Sequence, residues 1–268
     1  MLIERKTIPT TPELITPVVF DLKYQLPYTH AGDPIVLITC NRAFLDFAQN
    51  WIESVRRLGT RPNVLAIAED IEAYRTLIRK HPREVSAVMT PRAASPQAAL
   101  KYLSREYNLL INRRPAYIYR LLQKGKDVLF CDVDMVWLRD PLPYLVGDYD
   151  VVLQEDLHDP KVVYCAGFVF FRATNATRSL VWEWMDRIHK ARNRLPDQKI
   201  LNDILDEKFD PNLRMKVLDS DLFPNGKLYF DVRWREQRKR PPVIVHNNWI
   251  EGHELKVERF KEHGFWYI

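Results

Sequence analysis

Apolar positions along the chain alternate between unbroken runs and helical spacing, and each change marks an element. Pro34 to Cys40 (PIVLITC) is a continuous apolar run, which predicts a strand covered on both faces. Phe44, Phe47, Trp51, Ile52, Val55 and Leu58 then recur at helical spacing, and Gly59 stops that helix. Asn63 to Ala68 predicts a second strand, with a short helix through Ile71, Tyr74, Leu77 and Ile78 after it. Val85 to Met89 predicts a third strand, Gln97 to Leu110 and Pro115 to Gln123 predict helices, and Val128 to Val133 predicts a fourth strand. Strands alternating with helices in this way imply crossover units and a mostly parallel sheet.

The second half reads differently. Val151 to Leu153 and Tyr164 to Arg172 are strand-like, with a loop and no long helix between them. Leu180 to Ile188 and Gln198 to Leu205 are helical, and Val243 to His246 predicts a last short strand. The expectation is one α/β domain over residues 34–268 with a more mixed C-terminal half, preceded by an extension over residues 1–33. Ligands of such open sheets gather at the carboxyl ends of the strands, which places the loop after Cys40 beside the end of the fourth strand.

At 268 residues, with 46% hydrophobic and 28% charged residues, the composition is that of a globular protein with a substantial core. No run approaches the roughly 18 uncharged apolar residues of a membrane span. Met1 to His30 is dotted with proline and lacks the apolar centre of a signal peptide, so no address or anchor is visible. The net charge of +5 suits an anionic ligand. The densest basic run, Arg233 to Arg240, reads as a solvated loop, and no nucleic-acid module accompanies it. Cys40, Cys131 and Cys165 stand in apolar contexts without metal-ligand spacing, so buried free thiols are expected. Asn175-Ala176-Thr177 is a glycosylation sequon that acts only in a secretory lumen.

The fourth strand carries the chemistry. In Val128-Leu129-Phe130-Cys131-Asp132-Val133-Asp134-Met135-Val136-Trp137, apolar residues run into two aspartates and then resume. An unpaired carboxylate in an apolar site is very costly, so a strand end opening onto a bound divalent cation is the simplest account. Oxygen ligands suit Mg²⁺ or Mn²⁺, and these suit a substrate diphosphate. The same spacing recurs at Asp148/Asp150 and Asp219/Asp221. Asp148 and Asp150 follow Gly147 and are expected to be solvated turn residues.

Four segments, GKDVLFCDVDMVWLRDPLPYL (Gly125 to Leu145), CAGFVFFRAT (Cys165 to Thr174), DQKILN (Asp197 to Asn202) and HNNWIEGHELKVERF (His246 to Phe260), resemble in order and spacing the nucleotide-diphospho-sugar transferase family. That family includes the rhamnogalacturonan xylosyltransferases and is more distantly similar to glycogenin-type enzymes. The resemblance implies a GT-A fold, transfer from a UDP sugar to a glycan or glycoprotein hydroxyl with retention of configuration, a Mn²⁺ or Mg²⁺ cofactor, and residence in the Golgi lumen. It implies Asp132, Asp134 and His246 as metal ligands. Thr39, Asn41, Arg114, Asp132, Gly252 and Lys256 would lie on the donor, and Asp197 and Gln198 along its sugar. Many members carry an asparagine where this chain has Cys165-Ala166, so contacts to the sugar there differ.

Charge builds on the leaving diphosphate as the anomeric bond breaks, which calls for a cation and the point charge of Lys256. Gln154, Glu155 and Asp156 join Asp197 and Gln198 as polar candidates for the face opposite the leaving group. The residue types leave two routes to retention open, a protein nucleophile or same-face attack assisted by the departing phosphate. His246 also reads as a structural histidine, and Asp197 as the cap of a helix beginning at Gln198. Two other functions fit parts of the pattern. Asp132, Asp134 and Val136 match the first motif of haloacid dehalogenase phosphatases, although here it lies far from the domain start and Gly147-Asp148 follows too soon. A pseudoenzyme that binds nucleotide sugars without turnover would keep the same residues.

Overall fold

The computed structural model describes residues 32–90, 99–158 and 160–268. Residues 1–31 of the expected extension and the first residues of the helix expected from Gln97 lie outside the described residues. The strands are β1 (Ile35–Cys40), β2 (Asn63–Ala68), β3 (Ser86–Met89), β4 (Val128–Cys131), β5 (Met135–Trp137), β6 (Val151–His158), β7 (Val162–Phe171), β8 (Met215–Val217) and β9 (Ile244–His246). The helices are α1 (Leu45–Arg57), α2 (Ile71–Lys80), α3 (Arg105–Ile111), α4 (Arg114–Gln123), α5 (Asn175–Lys190), α6 (Asp197–Asp206), α7 (Gly226–Tyr229), α8 (Val232–Gln237) and α9 (His253–Glu262).

Among the described residues seven strands form one sheet in the order β3-β2-β1-β4-β7-β6-β8. β1 pairs in parallel with β2 and β4, β2 with β3, and β6 with β8, whereas β7 runs antiparallel to both β4 and β6. The sheet is thus mostly parallel, with β7 as the inserted exception. Strand alternation divides the core. Val36, Ile38, Leu129 and Phe170 face one layer with α1, while Leu37, Ile67, Phe130 and Val169 face the other with α4, α5 and α6. Each such fully buried side chain contributes roughly 1.5–3 kcal/mol. From β1 the chain steps outward through β2 to β3 and then returns to lay β4 on the other side of β1, so a crevice opens at this switch point, beyond Cys40 and Cys131.

Several elements depart from expectation. The helix foreseen from Gln97 begins only at Arg105. Leu103 takes a positive φ of 60°, and the Ser104 hydroxyl then accepts the Tyr107 N–H at 3.1 Å as an N-cap. β4 ends at Cys131, so Asp132 and Val133 lie past its end. Met135 to Trp137 leaves the sheet and pairs antiparallel with β9 in a separate ribbon. The loop expected after Leu153 is strand as far as His158, because β6 bulges at Leu153/Gln154 and resumes pairing with β7. Asp197 is the first residue of α6 and not its cap, which is Pro196. Its Oδ1 nonetheless accepts the Gln198 N–H at 2.8 Å. Asp148 is solvated, but Asp150 is buried and bound by the Arg214 guanidinium at 2.8 and 3.0 Å. The basic run is helical in its first half, as α8.

The three cysteines are buried and free, as the sequence led us to expect. Asn175 opens α5 exposed, while Thr177 is buried in a capping box with Thr174. No helix among the described residues is long and apolar enough to cross a membrane.

Candidate active site

A cavity of about 910 Å³ occupies the crevice beyond β1 and β4. Thr39, Asn41, Arg114, Asp132, Asp134, Asp197, Gln198, His246, Gly252 and Lys256 all line it. These ten residues therefore open onto one space, although they come from segments as far apart as Thr39 and Lys256.

Register explains the convergence. The β5–β9 ribbon pairs Met135 with His246, and the Asn247 N–H donates to the Asp134 carbonyl at 2.8 Å, which sets the imidazole against the aspartates. Asp132, Asp134 and His246 each offer a ligand atom within 4.8 Å of the others. The His246 Nε2 lies 3.3 Å from Asp134 Oδ1. Facing them is Gly167, where a Cβ would stand 2.3 Å from Asp132 Oδ2 and 2.9 Å from His246 Cε1. Only glycine fits that wall.

Gln154 lies behind the cluster instead of along the cavity. Fully buried, it donates through Nε2 to the Phe223 and Pro224 carbonyls at 3.1 and 3.2 Å, so its Oε1 is the atom that faces His246 Nδ1 at 3.2 Å. An amide oxygen can only accept, so Nδ1 carries a proton and Nε2 is the nitrogen turned toward the aspartates. Glu155, on the opposite face of β6, lies 3.7 Å from His158 and does not line the cavity. The expectation that Gln154 and Glu155 face a sugar is corrected: Gln154 is held behind His246, and Glu155 is turned away by strand alternation. Asp156 does line the cavity.

The neighbouring arginines part company. Arg113 pairs with Glu69 at 2.6 Å, while Arg114 reaches Asp132 at 3.1 Å and Asp197 at 3.7 Å, its guanidinium over the Phe130 ring. Lys256 Nζ binds Asp134 Oδ2 and donates to the Asn247 carbonyl at 2.9 Å. Gly252, with φ of +92°, precedes the first residue of α9 and has open space where a Cβ would be.

These contacts split the carboxyls. Burial raises Asp132, with Arg114 opposing and Asp134 reinforcing the shift. Burial also acts on Asp134, but the Lys256 ammonium and His246 overcome it and hold that carboxyl well below the usual range. Asp197 is pushed up to about 6, by burial first, against the pull of Arg114. Its Oδ2 is buried without a hydrogen-bond partner. Three carboxylates thus face two fixed cations, and the paired aspartates with the imidazole Nε2 form a donor set suited to Mn²⁺ or Mg²⁺.

Gln198 is held by the protein: Oε1 accepts the Ala166 N–H at 3.0 Å and Nε2 donates to Asp156 Oδ2 at 3.0 Å. The sequence reading missed Trp249, Tyr102 and Tyr107, which also line the cavity. Trp249 stands inside a quoted motif, yet nothing in residue type alone separates a cavity aromatic from a core one.

A family model described as nucleotide-diphospho-sugar transferase matches residues 59–260. UDP-D-xylose:L-fucose alpha-1,3-D-xylosyltransferase 3 of Arabidopsis thaliana is 31% identical, over 93% of this chain and 70% of its own length. UDP-galactose:fucoside alpha-3-galactosyltransferase of Dictyostelium discoideum is 25% identical, over 92% of this chain and 45% of its own. Among solved structures, the glycosyltransferase GlyE of Streptococcus pneumoniae TIGR4 superposes with a TM-score of 0.56 at 14% identity, covering 88% of this chain and 60% of that one. The galactosyltransferase LgtC, solved with donor and acceptor sugar analogues, gives 0.52 at 15%, covering 85% and 94%. These likenesses show the GT-A fold.

Proposed function

The chain belongs to the nucleotide-diphospho-sugar transferase family, and on that premise we propose that residues 34–268 form a metal-dependent, retaining transferase moving a sugar from a UDP sugar to a fucoside hydroxyl. The observation that carries the reading is the convergence of Asp132, Asp134 and His246 beside Lys256, on the wall of a cavity large enough for a nucleotide sugar. The names of the relatives support the donor and the acceptor: xylosyl and galactosyl transfer from UDP to fucose, with α-linked products. UDP sugars carry the sugar α, so an α product means retention.

Asp132, Asp134 and the Nε2 of His246 would hold the cation, which when bound supplies Lewis-acid neutralisation of the diphosphate. Lys256 adds a fixed charge to the phosphates, and Gly252 leaves the start of α9 open to them. Thr39 and Asn41, at the end of β1, would meet the nucleoside. Arg114 spans Asp132 and Asp197 and so links the diphosphate to the sugar. The Oδ2 of Asp197, which has the Arg114 guanidinium at 3.7 Å but accepts no hydrogen bond, would accept a hydroxyl of the donor sugar and so gain the bond it lacks. Gln198, locked by Ala166 and Asp156, presents a fixed edge to the same sugar. In the transfer the anomeric carbon leaves the β-phosphate oxygen and bonds the acceptor oxygen, and the hydroxyl proton departs with UDP. A Golgi lumen is the compartment this reading implies.

The test is to incubate the full chain with UDP-xylose or UDP-galactose, Mn²⁺ and methyl α-L-fucoside, and to read the product by proton NMR. An α-linked disaccharide that is absent with EDTA is expected. A β-linked product, or equal turnover with EDTA, would overturn the reading.

A further inference from the structure

Trp249 lines the cavity with 48% of its surface exposed, and its backbone takes a positive φ of 58°. A bulky residue in the left-handed region persists only where its surroundings hold it, and such strain gathers at ligand sites. Here the hold is visible. Asn248, one residue before, donates to Asp156 Oδ1 at 2.9 Å, accepts the Gly226 N–H at 2.7 Å through its side chain, and accepts Arg259 Nη2 at 2.6 Å through its carbonyl. The indole N–H itself donates to the same Asp156 Oδ1 at 3.0 Å. Lys227 Nζ stands over the ring at 5.1 Å.

The indole therefore has no polar group left to offer, and what it presents to the cavity is its apolar surface. Its place is fixed relative to the donor side. Asp156 binds Trp249 through one oxygen and Gln198 through the other, so indole and Gln198 are separated by a single carboxylate. That separation is on the scale of one sugar ring. Tyr102 and Leu103, 49% and 53% exposed, line the same cavity. A solvated apolar surface one ring from the donor sugar, in a cavity that also carries the charged Arg114, Asp132, Asp156 and Lys256, suits a ligand that is polar at its hydroxyls and apolar on one face.

We propose that Trp249 is the platform on which the acceptor pyranose lays its C–H face, with Asp156 as the residue that positions it. A 6-deoxyhexose fits best, because its methyl group extends the apolar face. The inference rests on the transferase reading above but not on the identity of the sugar moved.

The test measures binding of three glycosides to the protein saturated with UDP and Mn²⁺, by saturation-transfer NMR and titration: methyl α-L-fucoside, methyl α-L-rhamnoside and methyl β-D-galactoside. Trp249→Ala is expected to weaken the bound glycoside about tenfold, as loss of an aromatic contact does, with UDP affinity changed less than twofold. Trp249→Phe keeps a ring and is expected to recover most of the affinity. If UDP affinity falls as far as glycoside affinity, Trp249 belongs to the nucleoside and the proposal is overturned. Undiminished glycoside binding in Trp249→Ala, or no uptake of any of the three by the wild type, overturns it as well. Failure of transfer to the fucoside, with another glycoside bound through Trp249, would sink the fucoside reading and leave the platform standing.

Discussion

At the scale of single residues, the site depends on groups whose partners fix their protonation. Gln154 is the clearest. With its amide locked by two carbonyls, its oxygen keeps a proton on His246 Nδ1 and so turns Nε2 toward the aspartates. Gln154→Leu is expected to weaken Mn²⁺ binding by about 10- to 100-fold, the usual effect of losing such a supporting bond. Titration followed by the EPR signal of free Mn²⁺ reads this directly, with no turnover needed, and unchanged affinity would refute the assignment. Asp197 offers a pH test. Its carboxyl is raised to about 6 in the folded protein. The native state therefore binds the proton more tightly than the unfolded chain, and stability falls as pH rises from about 4 to about 6. Asp197→Asn removes the buried charge and is expected to gain on the order of 2 kcal/mol at pH 7.5 relative to pH 4. Denaturant midpoints at the two pH values check it, and an equal difference at both would contradict the account. Residue types at the site were legible in the sequence, but partners were not. Gln154, Glu155 and Asp156 read alike as polar candidates, and only the fold sorted them: alternation turns Glu155 to the other face, while Gln154 and Asp156 become a support and a cavity wall.

At the scale of elements, the β5–β9 ribbon and α9 assemble the site. The sequence showed Val243 to His246 as a strand, but not that it leaves the main sheet, because strand propensity says nothing about partner. Asp132 and Asp134 lie where the chain exits β4 and enters β5, and a continuous apolar pattern hides that exit. β7 brings Gly167 against Asp132, with the Asp132 N–H on the Gly167 carbonyl at 2.7 Å. Gly167→Ala would drive a methyl into Asp132 and His246. Overpacking of this kind costs about 1–3 kcal/mol, and Mn²⁺ affinity is expected to fall further than that loss of stability explains. Thermal melts and the EPR titration, side by side, would show otherwise if the two changed in step. α9 was read as a motif and not as a helix, its apolar spacing being weak. Its first turn carries Lys256 to Asp134 and the Asn247 carbonyl. Lys256→Ala is expected to weaken UDP binding about tenfold, roughly 1.4 kcal/mol, while circular dichroism stays that of the parent. Equal UDP affinity in parent and variant would remove Lys256 from the diphosphate site.

At the scale of the molecule, the order β3-β2-β1-β4 and its antiparallel continuation place one crevice at the switch point, and the expected metal and donor residues from Thr39 to Lys256 all open onto it. The first half of this architecture could be read from alternating strands and helices. In the second half β6, β7, α5, α6 and β9 could also be read, whereas β8, α7 and α8 could not, since they are short and their sequences carry no strong period. The phosphatase alternative loses its basis here, because the chain belongs to a different family and Asp132 is tied to Arg114 rather than free to attack. Binding without turnover is the rival that remains worth a direct comparison, and the transfer assay addresses it. Beneath both lies the claim that a cation held by Asp132, Asp134 and His246 joins the protein to a nucleoside diphosphate. The most direct test is calorimetric titration of the full chain with UDP, first with Mn²⁺, then with excess EDTA, repeated for Asp134→Asn. The account predicts tight binding that needs Mn²⁺ and is lost in both EDTA and the variant. UDP affinity indifferent to Mn²⁺ and to Asp134→Asn would contradict it.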